Sequence, residues 1–127
     1  GFKDQQKRIK EIEQIKDKVS LIIIDTMNSY YRRLVKDHRD IADAMLNSQL
    51  RILKKLSNNI PVLITNQVYT DIKTNKLRCV GENIFGEFCD CLIRLDKYDT
   101  KRVLTLINKK GKKEFLFEIK EDGINKI

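Results

Sequence analysis

The stretch Leu21-Ile22-Ile23-Ile24-Asp25 decides how the rest of the chain is read. Four apolar residues in a row, three of them β-branched and none alternating with a polar one, predict a strand covered on both faces, as in parallel sheets. Val62-Leu63-Ile64 repeats the pattern in shorter form, after Pro61 and before Thr65, Asn66 and Gln67. In open parallel sheets ligands bind beyond the carboxyl ends of the strands, so Asp25, Thr26, Thr65, Asn66 and Gln67 are expected at one rim.

The flanking segments supply helices. From Phe2 to Asp17, the residues Phe2, Ile9, Ile12 and Ile15 recur at helical spacing among charged residues. Between the two strands, His38 to Asn58 carries Ala42, Met45, Leu46, Leu50, Leu53 and Leu56 at steps of three and four, with Asp37 or Asp40 suited to cap its start. Helix, strand, helix, strand implies parallel pairing through a right-handed crossover.

Tyr69 to Gly86 is polar and contains glycine, which predicts a mobile loop leading into a short helix. Cys91 to Asp96, Arg102 to Asn108 and Glu114 to Ile119 are strand-like, with Lys109-Lys110-Gly111-Lys112 suited to a hairpin. Parallel strands therefore give way to an antiparallel edge, and the residues after Gly123 are expected to fray. The chain, residues 1–127, is read as a single domain.

Composition narrows the function. A 41% hydrophobic share suffices for a core and 35% charged residues can cover it, so disorder is excluded for most of the chain. No apolar run approaches the roughly 20 residues of a membrane span, and the first residues are too charged for a secretory signal, so a cytoplasmic location is expected. The net charge of +8 favours anionic partners, nucleic acid foremost, although many lysines also suit solvated helix faces. Cys79, Cys89 and Cys91 lack the spacing of a zinc site and His38 is the lone histidine; buried reduced thiols packing as small hydrophobes are expected.

Each rim residue carries two readings. A strand fixes the Asp25 carboxylate, whose charge can hold a water of a magnesium shell; alternatively it caps the next turn. Gln67 can donate to a terminal phosphate or orient a water and move the following loop; alternatively it is a polar loop residue. A phosphoacceptor reading of Asp25 with Thr65 and Lys97 fails, because no earlier acidic pair supplies the remaining magnesium ligands.

In combination, Leu21 to Asp25, then Ser29-Tyr30-Tyr31-Arg32, Gln49, and Ile64-Thr65-Asn66-Gln67-Val68 resemble the RecA/Rad51/RadA recombinase family. Val68-Tyr69-Thr70-Asp71-Ile72 and the short span to Val80-Gly81 look more like its archaeal RadB branch than its longer-looped members. The likeness runs on to Phe117-Glu118-Ile119 and Asp122-Gly123-Ile124. It implies an α/β fold, a fragment of a RecA-like P-loop NTPase core, with a mostly parallel sheet flanked by helices and an antiparallel carboxy-terminal edge. It implies that Asp25 is the Walker B acid, holding Mg2+ and, with Thr26, ATP. It further implies that Gln67 is the catalytic group coupling nucleotide state to a DNA-facing loop from Thr70 to Gly81. Lys109 and Lys110, with Lys112 and Lys113, are either contacts to a neighbouring subunit's nucleotide or solvated turn residues.

DNA contacts are expected from Tyr69, Lys73, Lys76 and Arg78 in that loop and from Arg32 and Arg33 after the first strand. Tyr30 and Tyr31 adjoin the second group, with at least one of them expected in the core. The resemblance implies a DNA repair and recombination accessory protein that binds DNA and, when complete, ATP with weak hydrolysis. Its implied partners are DNA, a RadA-like recombinase or a nuclease, and further copies of itself. The alternative is a non-catalytic module that regulates a recombinase or nuclease without nucleotide. The sequence departs from the family in holding no Gly-x-x-x-x-Gly-Lys-Ser/Thr. It is therefore read as the carboxy-terminal part of such a core, and alone it is not expected to hydrolyse ATP.

Overall fold

A computed structural model describes residues 1–127, which divide into two compact units, Gly1–Phe88 and Cys89–Ile127. In the first unit, α1 (Phe2–Ile15) leads through a short 3-10 turn to β1 (Ile22–Ile24). Then come α2 (Ser29–Leu34), α3 (Arg39–Leu56), β2 (Val62–Ile64), β3 (Val68–Asp71), β4 (Lys76–Cys79) and α4 (Glu82–Phe88). β1 and β2 pair in parallel, Ile22 opposite Val62 and Ile24 opposite Ile64, as the helical crossover between them requires.

The core forms around α3. Ala42, Leu46, Leu50, Leu53 and Leu56 recur every three or four residues, so one face of the helix is apolar and buried. That face meets Phe2 and Ile9 of α1, Tyr31 of α2, Phe85 of α4 and Ile22 of β1. Each fully buried leucine contributes about 1.5–3 kcal/mol, which holds together helices too short to persist alone. Gln49 is fully buried among them and satisfied: its Oε1 accepts from Gln5 Nε2 at 2.7 Å and its Nε2 donates to the Phe2 carbonyl at 3.4 Å.

Several expectations need correction. Ile23 is 58% exposed and Leu63, its cross-strand partner, 45%, so the parallel pair is covered on one face and open on the other. The packed helices and their apolar residues lie against Ile22, and strand pleating turns Ile23 and Leu63 the opposite way. The N-cap of α3 is His38 without a side-chain cap bond; Asp40 instead stands in the first turn, where its charge suits the helix dipole. The segment expected to be a mobile loop is a hairpin of β3 and β4 with Val68 opposite Cys79 and Asp71 opposite Lys76. Its turn is held by the Asn75 N–H on the Asp71 carbonyl at 2.7 Å and the Lys73 N–H on Asp71 Oδ1 at 2.9 Å.

The second unit is a four-stranded antiparallel sheet in the order β5 (Cys91–Tyr98), β6 (Lys101–Asn108), β7 (Gly111–Lys120) and β8 (Gly123–Lys126). The residues expected to fray after Gly123 form β8, paired to β7 with Ile119 opposite Ile124. Lys109 and Lys110 form the tight turn between β6 and β7, with Gly111 at φ +131°. Cys89 and Cys91 are exposed, not buried as expected, because Cys91 opens an edge strand and Cys89 lies in the link before it; Cys79 is half-buried. No helix is long and apolar enough to cross a membrane.

Two glycines behave oppositely. Gly81 has φ +86°, and a Cβ there would lie 3.0 Å from Tyr31 Cε1 and 3.3 Å from Phe85 Cε2. Gly86, within α4, has nothing within 4 Å of a Cβ. Gly81→Ala is therefore expected to destabilise the protein by about 1–3 kcal/mol, and Gly86→Ala to stabilise it by about 0.4–1 kcal/mol, in urea unfolding. Equal effects at the two positions would contradict this packing.

Candidate functional site

The parallel pair delivers its two exits to one rim. The Thr65 N–H donates to the Ile24 carbonyl at 3.0 Å, and the Met27 N–H donates to the Thr65 carbonyl at 2.8 Å, so the chain after β1 and the chain after β2 continue to be stitched together past the strands. Asp25 is exposed there and Thr65 Oγ1 donates to its Oδ1 at 2.6 Å. Thr26 and Ser29 share a hydroxyl hydrogen bond of 2.8 Å beside it. The peptide between Asp25 and Thr26 is cis.

Asn28 is the rim residue that sequence reasoning missed. It has no exposed surface. Its Nδ2 donates to the Gln67 carbonyl at 3.1 Å and its Oδ1 accepts from the Gln67 N–H at 3.1 Å, so one side chain satisfies the backbone of one residue on both sides. The same Nδ2 lies 3.5 Å from Cys79 Sγ. Gln67 precedes β3 and Cys79 ends β4, so Asn28 touches both legs of the hairpin at its base. The Gln67 carboxamide oxygen accepts from the Arg32 guanidinium. Asn66 Oδ1, between these groups in the chain, is a buried acceptor without a partner. A lone asparagine after a strand-end acid carries no periodicity, which is why its role is invisible in sequence.

The structure distributes the expected DNA residues unevenly. Tyr69 and Arg78 are cross-strand neighbours on the hairpin, Lys76 faces Asp71 across it, and Lys73 sits in its turn. Arg78 is not a free cation: it is ion-paired with Glu82, and its other guanidinium nitrogen lies 3.9 Å from Asp71 Oδ2. Those carboxylates, Glu82 first, hold its pKa above the ordinary arginine value. Arg33 stands over the Tyr30 ring at 6.0 Å. Tyr31 is the core tyrosine, 2% exposed, with its hydroxyl donating to Asp43 Oδ1 at 2.7 Å. Burial, then the Asp43 carboxylate, pushes its pKa up to about 12, so it remains a protonated donor. Lys109 and Lys110 belong to the second unit, with the Lys110 N–H donating to Asn108 Oδ1 at 2.8 Å.

The fit of this rim to a magnesium nucleotide is partial. One exposed carboxylate with two neighbouring hydroxyls suits a magnesium ion held through water, with phosphate oxygens completing its shell. No group of three or more His, Cys, Asp or Glu could hold a metal by itself. No segment of the chain supplies the glycine-rich cradle of backbone N–H groups that phosphates need.

The family model described as Rad51 matches residues 3–127. The DNA repair and recombination protein RadB of Thermococcus sibiricus is 35% identical over 99% of this chain and 58% of its own length. That of Thermococcus onnurineus is 34% identical over 99% of this chain and 59% of its own length. Among solved structures, one described as the RadB recombinase superimposes with a TM-score of 0.74 at 30% identity, covering 99% of this chain and 60% of that one. The chain thus spans about three-fifths of the relatives it matches.

Removing the clamp tests the rim. Asn28→Ala is expected to destabilise the first unit by about 1–3 kcal/mol, since it strips the partners from the Gln67 peptide groups. Amide exchange in β3 and β4 should rise more than in α3, and a uniform rise across the unit would contradict a local anchoring role.

Proposed function

From the premise that this chain belongs to the Rad51 family, and that its archaeal RadB relatives carry the name DNA repair and recombination protein, we propose a DNA repair and recombination accessory function. The reading takes residues 1–127 as one functional core domain that binds DNA and, in a complete protein, ATP with weak hydrolysis. The observation that carries it is the common rim: Asp25 and Gln67 leave adjacent parallel strands, and Gln67 leads directly into the β3–β4 hairpin.

Asp25 and Thr26 would hold the magnesium and nucleotide. ATP with Mg2+, when bound, would supply a polyanion to which the Gln67 carboxamide could donate. Gln67 is already oriented by Arg32 and fixed along its backbone by Asn28, so a change at its carboxamide is passed to the hairpin base. The hairpin then presents Tyr69 for base stacking and Lys73 and Lys76 for phosphates. Arg78 is assigned a positioning role within the hairpin, since Glu82 already neutralises it. Arg32 and Arg33 form a second basic contact, and Lys109 and Lys110 remain proposed nucleotide contacts to a neighbouring copy. DNA, a RadA-like recombinase and a second copy are the proposed partners, and a cytoplasmic location goes with them.

The test is the salt dependence of binding to single-stranded DNA. Affinity should fall as salt rises, and the double variant Lys73→Ala with Lys76→Ala should flatten the slope of log K against log salt by about 1.4, from roughly 0.7 for each lost phosphate contact. Tyr69→Ala should weaken binding at every salt concentration without changing that slope. An unchanged slope in the double variant would remove the hairpin from the DNA interface.

A further inference from the structure

Of the three cations on the β3–β4 hairpin, Lys73, Lys76 and Arg78, one is withheld. Lys73 and Lys76 have no ion pair, whereas Arg78 is bonded to Glu82, the first residue of α4. Asp71 stands nearby but does not take its place: its Oδ2 lies 3.9 Å from the guanidinium, beyond hydrogen-bonding reach, and its Oδ1 accepts from the Lys73 N–H. Glu82 is thus the carboxylate that occupies Arg78.

Cross-strand partners point to the same side of a hairpin, and so do residues two apart along a strand. The register therefore puts Tyr69, Arg78, Asp71 and Lys76 on one face, where Arg78 adjoins the exposed Tyr69 ring across the hairpin and Lys76 along its own strand. A nucleotide stacked on Tyr69 would carry its phosphates past those neighbours. An arginine grips a phosphate through two parallel N–H···O bonds, so the guanidinium is well placed and already engaged. The pair lies at the surface, with 44% of the Arg78 side chain and 39% of the Glu82 side chain exposed, and such pairs are weak. The hairpin does not depend on it: the ladder from Val68–Cys79 to Asp71–Lys76 and the turn bonded to Asp71 hold the strands together.

We propose that Glu82 limits the affinity of the hairpin for single-stranded DNA, by holding Arg78 away from the phosphates. Glu82 sets how many phosphates the hairpin engages, and with that both its affinity and its sensitivity to salt. The inference rests on the reading of the hairpin as a DNA contact and names the residue that tunes it.

The experiment measures binding of a fluorescent oligothymidine by the 127-residue chain over a range of salt, for the parent, Arg78→Ala, Glu82→Gln and the double variant. Glu82→Gln keeps the size of the side chain and removes its charge. It should raise affinity by about two- to fivefold at low salt and steepen the slope of log K against log salt by about 0.7, the share of one phosphate contact on a single strand. Arg78→Ala should flatten the slope of Glu82→Gln by about 0.7 and barely alter that of the parent. Equal flattening in both backgrounds would overturn the proposal, because Arg78 would then be free in the parent. A gain from Glu82→Gln that persists in the double variant would overturn it too, by showing that loss of any negative charge suffices. So would weaker binding by Glu82→Gln with faster amide exchange in β3 and β4, the mark of a pin that holds the hairpin. If Lys73→Ala with Lys76→Ala leaves the slope unchanged, the DNA reading fails and this inference with it. If that variant flattens the slope while Glu82→Gln does not steepen it, the reading stands and the inference alone falls.

Discussion

A buried carboxamide that leaves a polar group unpaired loses several kilocalories of solvation, and Asn28 pairs both of its groups with the Gln67 backbone, Cys79 Sγ lying 3.5 Å from the same nitrogen. The constraint reaches far beyond the side chain. Because the partner is the backbone of Gln67, the exit of β2 is tied to the exit of β1, and the residue that opens the hairpin cannot shift without breaking two hydrogen bonds. Asp25, three residues before Asn28, is held at the same rim by Thr65. The helices fix the strands from one side, and the rim fixes what the strands deliver. A rigid scaffold that ends in a few convergent polar groups is the arrangement from which binding sites are built.

The parallel pair of the first unit and the four-stranded sheet of the second both leave apolar side chains open. In the first they are Ile23 and Leu63; in the second they include Leu92 and Leu116 on one face and Leu95 and Phe115 on the other. The two cases differ in their electrostatics. Beside Ile23 and Leu63 the strands end in Asp25, whose carboxylate suits a cation or a metal-bound polyanion. On the second sheet Asp96, Glu114 and Glu118 share one face with the cations they pair with, and Lys97, Arg102, Lys113 and Lys126 lie on the other.

Much of this fold could be read from the residues, because its signals are periodic. The spacing of Leu46, Leu50, Leu53 and Leu56 marked α3, and the unbroken run Ile22 to Ile24 marked β1. Asp25 and Gln67 fell at one rim because strand ends in a parallel pair must. The cover on that pair was misjudged, since a run of apolar residues reports capacity for burial and not the presence of something to bury it. The β3–β4 hairpin was hidden because its strands are short and polar and its turn rests on Asp71 and Asn75, not on glycine. Asn28 and the Arg78–Glu82 pair were hidden for another reason: both depend on which side chains meet in space. The RecA-type likeness, drawn from Leu21 to Asp25 and Ile64 to Val68, compensated for part of this, and the Rad51 match over residues 3–127 agrees with it.

The account stands on the Asn28 clamp, and one amide reports it. Gln67 lies outside the strand ladders, so nothing but Asn28 Oδ1 is offered to its N–H. Hydrogen exchange followed by NMR should show the Gln67 amide protected to about the degree of Thr65, whose N–H is bonded to Ile24. Exchange of Gln67 at the rate of an unstructured peptide, with Thr65 still protected, would contradict it.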